Sequence, residues 1–120
     1  MAEQLRVLAV DDEPPALDEL SYLLGRHPDI GEVVAVSDAT AALRVLGEQP
    51  LDAVFLDINM PGLSGLELAG VLVNFAAPPA LVFVTAHDDK AIAAFEVGAL
   101  DYLLKPILEA RLDEAVRRVR

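Results

Sequence analysis

The chain has 120 residues, enough for one domain with one real core, and 54% of it is hydrophobic, so it is not a disordered acidic tail despite a net charge of -11. Twenty acidic residues against nine basic ones argue against direct binding to a nucleic-acid backbone. Having no cysteine excludes disulfides and thiolate chemistry, while no apolar run nears the ~18 residues of a membrane span and the start lacks a secretion signal, so a soluble, cytoplasmic chain is expected.

Short apolar and β-branched runs occupy Leu5 to Val10, Glu32 to Val36, Ala53 to Leu56, Leu81 to Thr85 and Asp101 to Leu104. Each has the length of a strand. Val7-Leu8-Ala9-Val10 and Ala53-Val54-Phe55-Leu56 are apolar throughout, as strands buried on both faces of a parallel sheet must be. Helical periodicity fills the intervals. Leu17, Leu20 and Leu24 form one stripe, and Ala39, Ala42, Leu43 and Leu46 form a second behind Asp38, a helix cap. Ser64-Gly65-Leu66-Glu67 reads as a capping box opening a third helix. A fourth spans about Asp88 to Val97 and stops near Gly98, and a fifth shows Leu108, Leu112, Ala115, Val116 and Val119 on one side.

Strict βα alternation with short connections predicts an α/β, doubly wound fold, with one parallel sheet, right-handed crossovers and helices on both faces. Residues 1–120 form one domain in this reading, without internal repeat or low-complexity segment. Four of the nine basic residues lie in 107–120. Because Arg117, Arg118 and Arg120 sit in a helical pattern at the chain's end, we expect a domain excised from a longer protein.

Active sites of such sheets form at the carboxyl ends of the strands. There the sequence places Asp11 and Asp12, Asp57, Thr85 and Lys105, after the first, third, fourth and fifth strands. A single Asp after a strand is usually a turn former; convergence of five such residues points to chemistry. Three carboxylates at one edge repel one another unless a cation neutralises them, and an all-oxygen site with room for water suits Mg²⁺. Lys105 adds a positive charge and Thr85 a hydroxyl donor, so the set is built to stabilise a transferring phosphoryl group, with Asp as its acceptor. No P-loop or dinucleotide-binding glycine motif competes; Pro61-Gly62-Leu63-Ser64-Gly65 reads as a loop around the Asp57 site.

Val10-Asp11-Asp12-Glu13, Phe55-Leu56-Asp57-Ile58-Asn59-Met60-Pro61-Gly62, Val84-Thr85-Ala86 and Leu104-Lys105-Pro106 resemble, in order and spacing, the motifs of response-regulator receiver domains. The resemblance covers essentially the whole chain. It implies a CheY-like, flavodoxin-like (βα)5 fold of strand order 2-1-3-4-5, and a two-component signalling switch that takes a phosphoryl group from a sensor histidine kinase. Asp57 is then the phosphoacceptor; Asp12 binds Mg²⁺ directly, Asp11 through water, and the Asn59 carbonyl supplies a third protein oxygen. Thr85 and Tyr102 take the part of the switch residues, Lys105 contacts the phosphoryl group, and Lys105-Pro106 corresponds to a cis peptide. Small Ala86 leaves a donor access to Asp57, and His27 and His87 read as surface or loop residues.

Asp12-Glu13-Pro14-Pro15-Ala16-Leu17 and the run from Ala94 to Ile107 are similar to receivers attached to LytTR-type DNA-binding domains. Transcription control would then rest with an output domain outside these 120 residues, and the family's phosphorylated homodimer would form on the fourth helix, fifth strand and fifth helix. Beyond self-phosphorylation and slow self-dephosphorylation, no enzymatic activity is expected. Two alternatives are a phosphohydrolase with an Asp nucleophile, which would carry a second Asp where this chain has Asn59, and a phosphorylation-independent interaction module, against which the intact Asp, Thr and Lys set speaks.

Overall fold

The computed structural model describes residues 3–120. Five strands, β1 (Leu5–Val10), β2 (Ile30–Val36), β3 (Ala53–Leu56), β4 (Ala80–Thr85) and β5 (Asp101–Leu104), form a parallel sheet of order β2-β1-β3-β4-β5. Between and after them run α1 (Pro14–Arg26), α2 (Ala39–Glu48), α3 (Gly65–Leu72), α4 (Ala91–Glu96) and α5 (Glu109–Val119). The doubly wound fold is the one expected from the sequence pattern, and the strand order is the one that the resemblance implied. Among the described residues, no helix is long and apolar enough to cross a membrane.

Alternation along each strand divides the core in two, because successive side chains leave a strand on opposite faces. Val7 and Ala9, with Phe55, Val82 and Leu103, pack against Leu20 and Leu24 of α1 and Leu112, Ala115 and Val116 of α5. Leu8 and Val10, with Val54, Leu56 and Phe83, pack against α2, α3 and Ala94 of α4. Both faces are covered, which accounts for the unbroken apolar runs of β1 and β3.

The helix starts follow local chemistry. Pro14 takes the first turn of α1, where a missing N–H costs nothing. Asp38 Oδ1 accepts the Ala41 N–H at 2.7 Å, and the box at α3 is complete: Ser64 Oγ accepts the Glu67 N–H, and Glu67 Oε1 accepts the Ser64 N–H.

Besides β4, which begins one residue early at Ala80, three features differ from expectation. β2 begins two residues early, at Ile30, which pairs with Leu5 and is buried; Gly31 and Glu32 interrupt the apolar run and hide that start. The fourth helix is a 3-10 turn at Asp88–Lys90 followed by six α-helical residues, closed by Gly98 at φ +92°. Leu108 is not on the buried stripe of α5 but caps its N-terminus, exposed.

Ser64→Ala removes the side-chain half of the box at α3, and the expected cost is about 1 kcal/mol. Urea unfolding monitored by circular dichroism should show a lower midpoint with an unchanged slope; an unchanged midpoint would mean that the cap contributes nothing.

Candidate functional site at the carboxyl edge of the sheet

The parallel ladder runs one residue past each strand and fixes where the site side chains stand. Asp57 donates its N–H to Val10 O at 3.1 Å, Asp11 to Val36 O at 3.3 Å and Lys105 to Thr85 O at 2.8 Å. Backbone hydrogen bonds therefore set the spacing of Asp11, Asp57, Thr85 and Lys105 across neighbouring strands. Behind Asp57 the N-terminus of α3 is seated directly on the chain: Gly65 donates to Ile58 O at 2.7 Å, and a Cβ at Gly65 would lie 2.0 Å from Asp57 O. Any side chain there would displace the backbone that carries Asp57.

At the centre lies one cation. Lys105 Nζ donates to Asp11 Oδ2 at 2.8 Å and to Asp57 Oδ2 at 2.9 Å. Asp11 is 2% exposed and Asp57 7%, so these ion pairs stand largely out of water, where a lone charge costs far more than at the surface. The other carboxylate oxygens face backbone: Asp11 Oδ1 accepts the Glu13 N–H at 3.0 Å, and Asp57 Oδ1 the Asn59 N–H at 3.4 Å. Burial lowers the Lys105 pKa, but the hydrogen bonds and charges of Asp11 and Asp57 outweigh it and hold the ammonium above its ordinary 10.5.

Thr85 is fully buried, its Oγ1 accepting the His87 N–H at 3.3 Å. Tyr102 is half-buried, with its ring centroid 6.5 Å from that of Phe83 and its hydroxyl donating to the His87 carbonyl. Burial, with the charges of Asp89 and Asp88 adding to it, raises the Tyr102 pKa above 10.0. The Lys105–Pro106 peptide is cis, and Ala86 is exposed beside the site.

Carboxylate oxygens of Asp11, Glu13 and Asp57 lie within 4.8 Å of one another. Three carboxylates against one ammonium leave a negative, all-oxygen pocket, a donor set that fits a hard divalent cation such as Mg²⁺. Asp12 is half-buried and stands outside that trio. Glu13 was not among the residues singled out from sequence, although it adjoins the Asp pair; the Asx turn that folds its N–H onto Asp11 is what brings it near. His87, expected as a surface or loop residue, is exposed in the loop after β4, where it touches Asn59, Thr85 and Tyr102.

Residues 7–117 match the family model described as the response regulator receiver domain. The chain is 43% identical over 116 residues to the sensory transduction protein LytT of Bacillus subtilis, covering 97% of this chain and 48% of that protein. It is 39% identical over 116 residues to the transcriptional regulatory protein LytR of Staphylococcus aureus, covering 97% and 47%. The chain thus spans about half the length of these relatives. Among solved structures, the response regulatory domain of mrkE from Klebsiella pneumoniae superposes with a TM-score of 0.88 at 39% identity, covering 96% of this chain and 94% of that one.

The raised Lys105 and Tyr102 pKa values carry a stability signature. Both groups hold their proton more tightly when folded, so their contribution is complete below 10.0 for Tyr102 and 10.5 for Lys105 and is lost as pH rises through the folded values. Urea midpoints measured upward from about pH 9 should fall in the wild type and fall less in Lys105→Met, whose residual slope belongs to Tyr102. Equal slopes would show that the ammonium is not held by the fold.

Proposed function

The chain belongs to the response regulator receiver domain family, and on that premise we propose that it is the phosphorylation switch of a two-component system, with Asp57 accepting a phosphoryl group from a sensor histidine kinase. The observation that carries this reading is the Lys105 ammonium shared by Asp11 and Asp57, which puts a phosphate-binding cation beside the nucleophile. In the transfer, an Asp57 carboxylate oxygen attacks phosphorus in line, the P–N bond of the donor phosphohistidine breaks, and its electron pair stays with the departing imidazole. Lys105 then exchanges a carboxylate partner for a phosphoryl oxygen. Thr85 Oγ1 already accepts the His87 N–H, so its own proton is free to donate to a second phosphoryl oxygen.

Asp11, Asp12 and Asp57, with the Asn59 carbonyl, would hold Mg²⁺, which supplies charge neutralisation to the transferring group. The placement of Glu13 at the same pocket adds a carboxylate to that set. Hydrolysis of the acyl phosphate resets the domain, so its chemistry serves a signal rather than the turnover of a separate substrate. The name of the LytR relative, a transcriptional regulatory protein, supports transcription regulation as the output. DNA contact would then belong to a LytTR-type domain in the part of those relatives that this chain does not span, and the work would be done in the cytoplasm.

The phosphoryl group biases two arrangements of Thr85 and Tyr102, because it offers new hydrogen bonds in only one of them. Its effect emerges on the face formed by α4, β5 and α5, where Ile92 is 79% exposed and Phe95, Leu104 and Leu108 are exposed beside it. A second copy would cover this apolar surface in a symmetric dimer.

With acetyl phosphate and Mg²⁺, intact mass should show one phosphoryl group on the wild type and none on Asp57→Asn. Equal uptake by the variant would place the acceptor elsewhere. Sedimentation with beryllofluoride, a mimic of the phosphoryl group, should shift the wild-type domain from monomer to dimer. A monomer with the mimic demonstrably bound would remove dimerisation from the mechanism.

A further inference from the structure

His87 lies in the loop after β4 and joins three of the residues that the sequence assigned to the phosphoryl site. Its N–H donates to Thr85 Oγ1 at 3.3 Å, its carbonyl accepts the Tyr102 hydroxyl, and its Nε2 lies 2.6 Å from Asn59 Nδ2. The backbone of residue 87 is thus fixed by its own N–H and C=O, and the imidazole extends from a held point to a side chain 28 residues away in the chain.

Asn59 and His87 are both exposed. An exposed Asn side chain without a partner samples several rotamers; here the imidazole selects one. Asn59 also sits two residues after Asp57, with its N–H directed at Asp57 Oδ1 at 3.4 Å. Its orientation is therefore shared with the carboxylate and with the carbonyl that would face the cation. In metal sites, hydrogen bonds from outside the ligand set orient the ligands, and losing them weakens the site.

We propose that His87 is a positioning residue of the Mg²⁺ site, acting through the Asn59 side chain to hold the Asp57–Asn59 segment in the geometry that the cation requires. This rests on the reading of the pocket as a receiver Mg²⁺ site. With the Asn59 amide donating, His87 is the neutral tautomer protonated on Nδ1; with the amide reversed, Nε2–H donates to Asn59 Oδ1. The tie survives in either form, so the proposal does not depend on which proton is present.

The test is Mg²⁺ affinity without any phosphodonor, measured by amide chemical shifts in wild type, His87→Ala, His87→Gln, Asn59→Ala and the His87→Ala/Asn59→Ala double variant. His87→Ala should weaken Mg²⁺ about three- to tenfold, less than the roughly 10–100-fold of a buried outer partner because this pair is exposed. His87→Gln, which retains a hydrogen-bonding tip, should bind close to wild type. In the Asn59→Ala background the His87→Ala change should have no further effect.

A second readout separates positioning from loss of the loop. Tyr102 is bonded to the backbone carbonyl of residue 87, which alanine preserves, so the Tyr102 ring resonances should not move in His87→Ala. Wild-type affinity in His87→Ala, an undiminished effect in the double variant, or a weakening that appears only with displaced Tyr102 resonances would each overturn the proposal. Failure of the receiver reading would look different: Asp57→Asn would then take up phosphate as the wild type does.

Discussion

Lys105 Nζ is held between Asp11 Oδ2 and Asp57 Oδ2, with both carboxylates buried. Removing either partner from such a cluster leaves a desolvated charge, which is among the costlier defects a fold can carry. The residues come from positions 11, 57 and 105, so the contact forms only when β1, β3 and β5 share one parallel sheet in register. The ammonium thus ties the first, middle and last strands at their carboxyl ends. Its place is also chemical, because the charge that reconciles two carboxylates is the charge that a phosphoryl group would seek. A pocket so balanced is responsive: adding a dianion or a cation changes which partner the ammonium prefers.

Much of this was legible in the sequence because the relevant signals are local. The apolar runs of β1 and β3 report burial on both faces, and Ser64 with Glu67 marks the start of α3 within four residues. In a parallel sheet the strand ends converge, so Asp11, Asp57, Thr85 and Lys105 could be assembled from order alone. What stayed hidden depends on turns and distant partners. Glu13 joins the carboxylates through an Asx turn, a feature of three consecutive residues with no apolar pattern. His87 reads as an ordinary loop residue until its contact with Asn59 is visible. The early start of β2 was masked by Gly31, and the 3-10 turn before α4 by Asp88-Asp89-Lys90, which is equally compatible with an α-helical first turn.

The fold also separates rigid from adjustable contributions to the site. Asp57 is pinned by its ladder bond to Val10 and by the close seat of Gly65, so the carboxylate proposed as the phosphoacceptor stands on a backbone with little freedom. Thr85 and Tyr102 instead bond through their side-chain hydroxyls to the backbone of His87 in the loop after β4, so rotation of these side chains can exchange partners without disturbing the sheet. On the reading proposed above, a fixed acceptor beside side chains that can change partners would convert a chemical event into a conformational one.

The six-residue α4 is attached to this frame by very little. Ala94 is its only fully buried residue, and the helix is bounded by a 3-10 turn and a left-handed glycine. Local opening costs only the contacts that an element makes, so α4 can detach at a fraction of the free energy that unfolds the sheet. Its amides would then exchange with solvent through a separate, shallow opening while those of β1 and β3 wait for global unfolding. The exposed apolar side chains Ile92 and Phe95 ride on this loosely moored segment. The surface proposed to meet a second molecule is thus also a part of the domain that can reshape itself at little expense to the core.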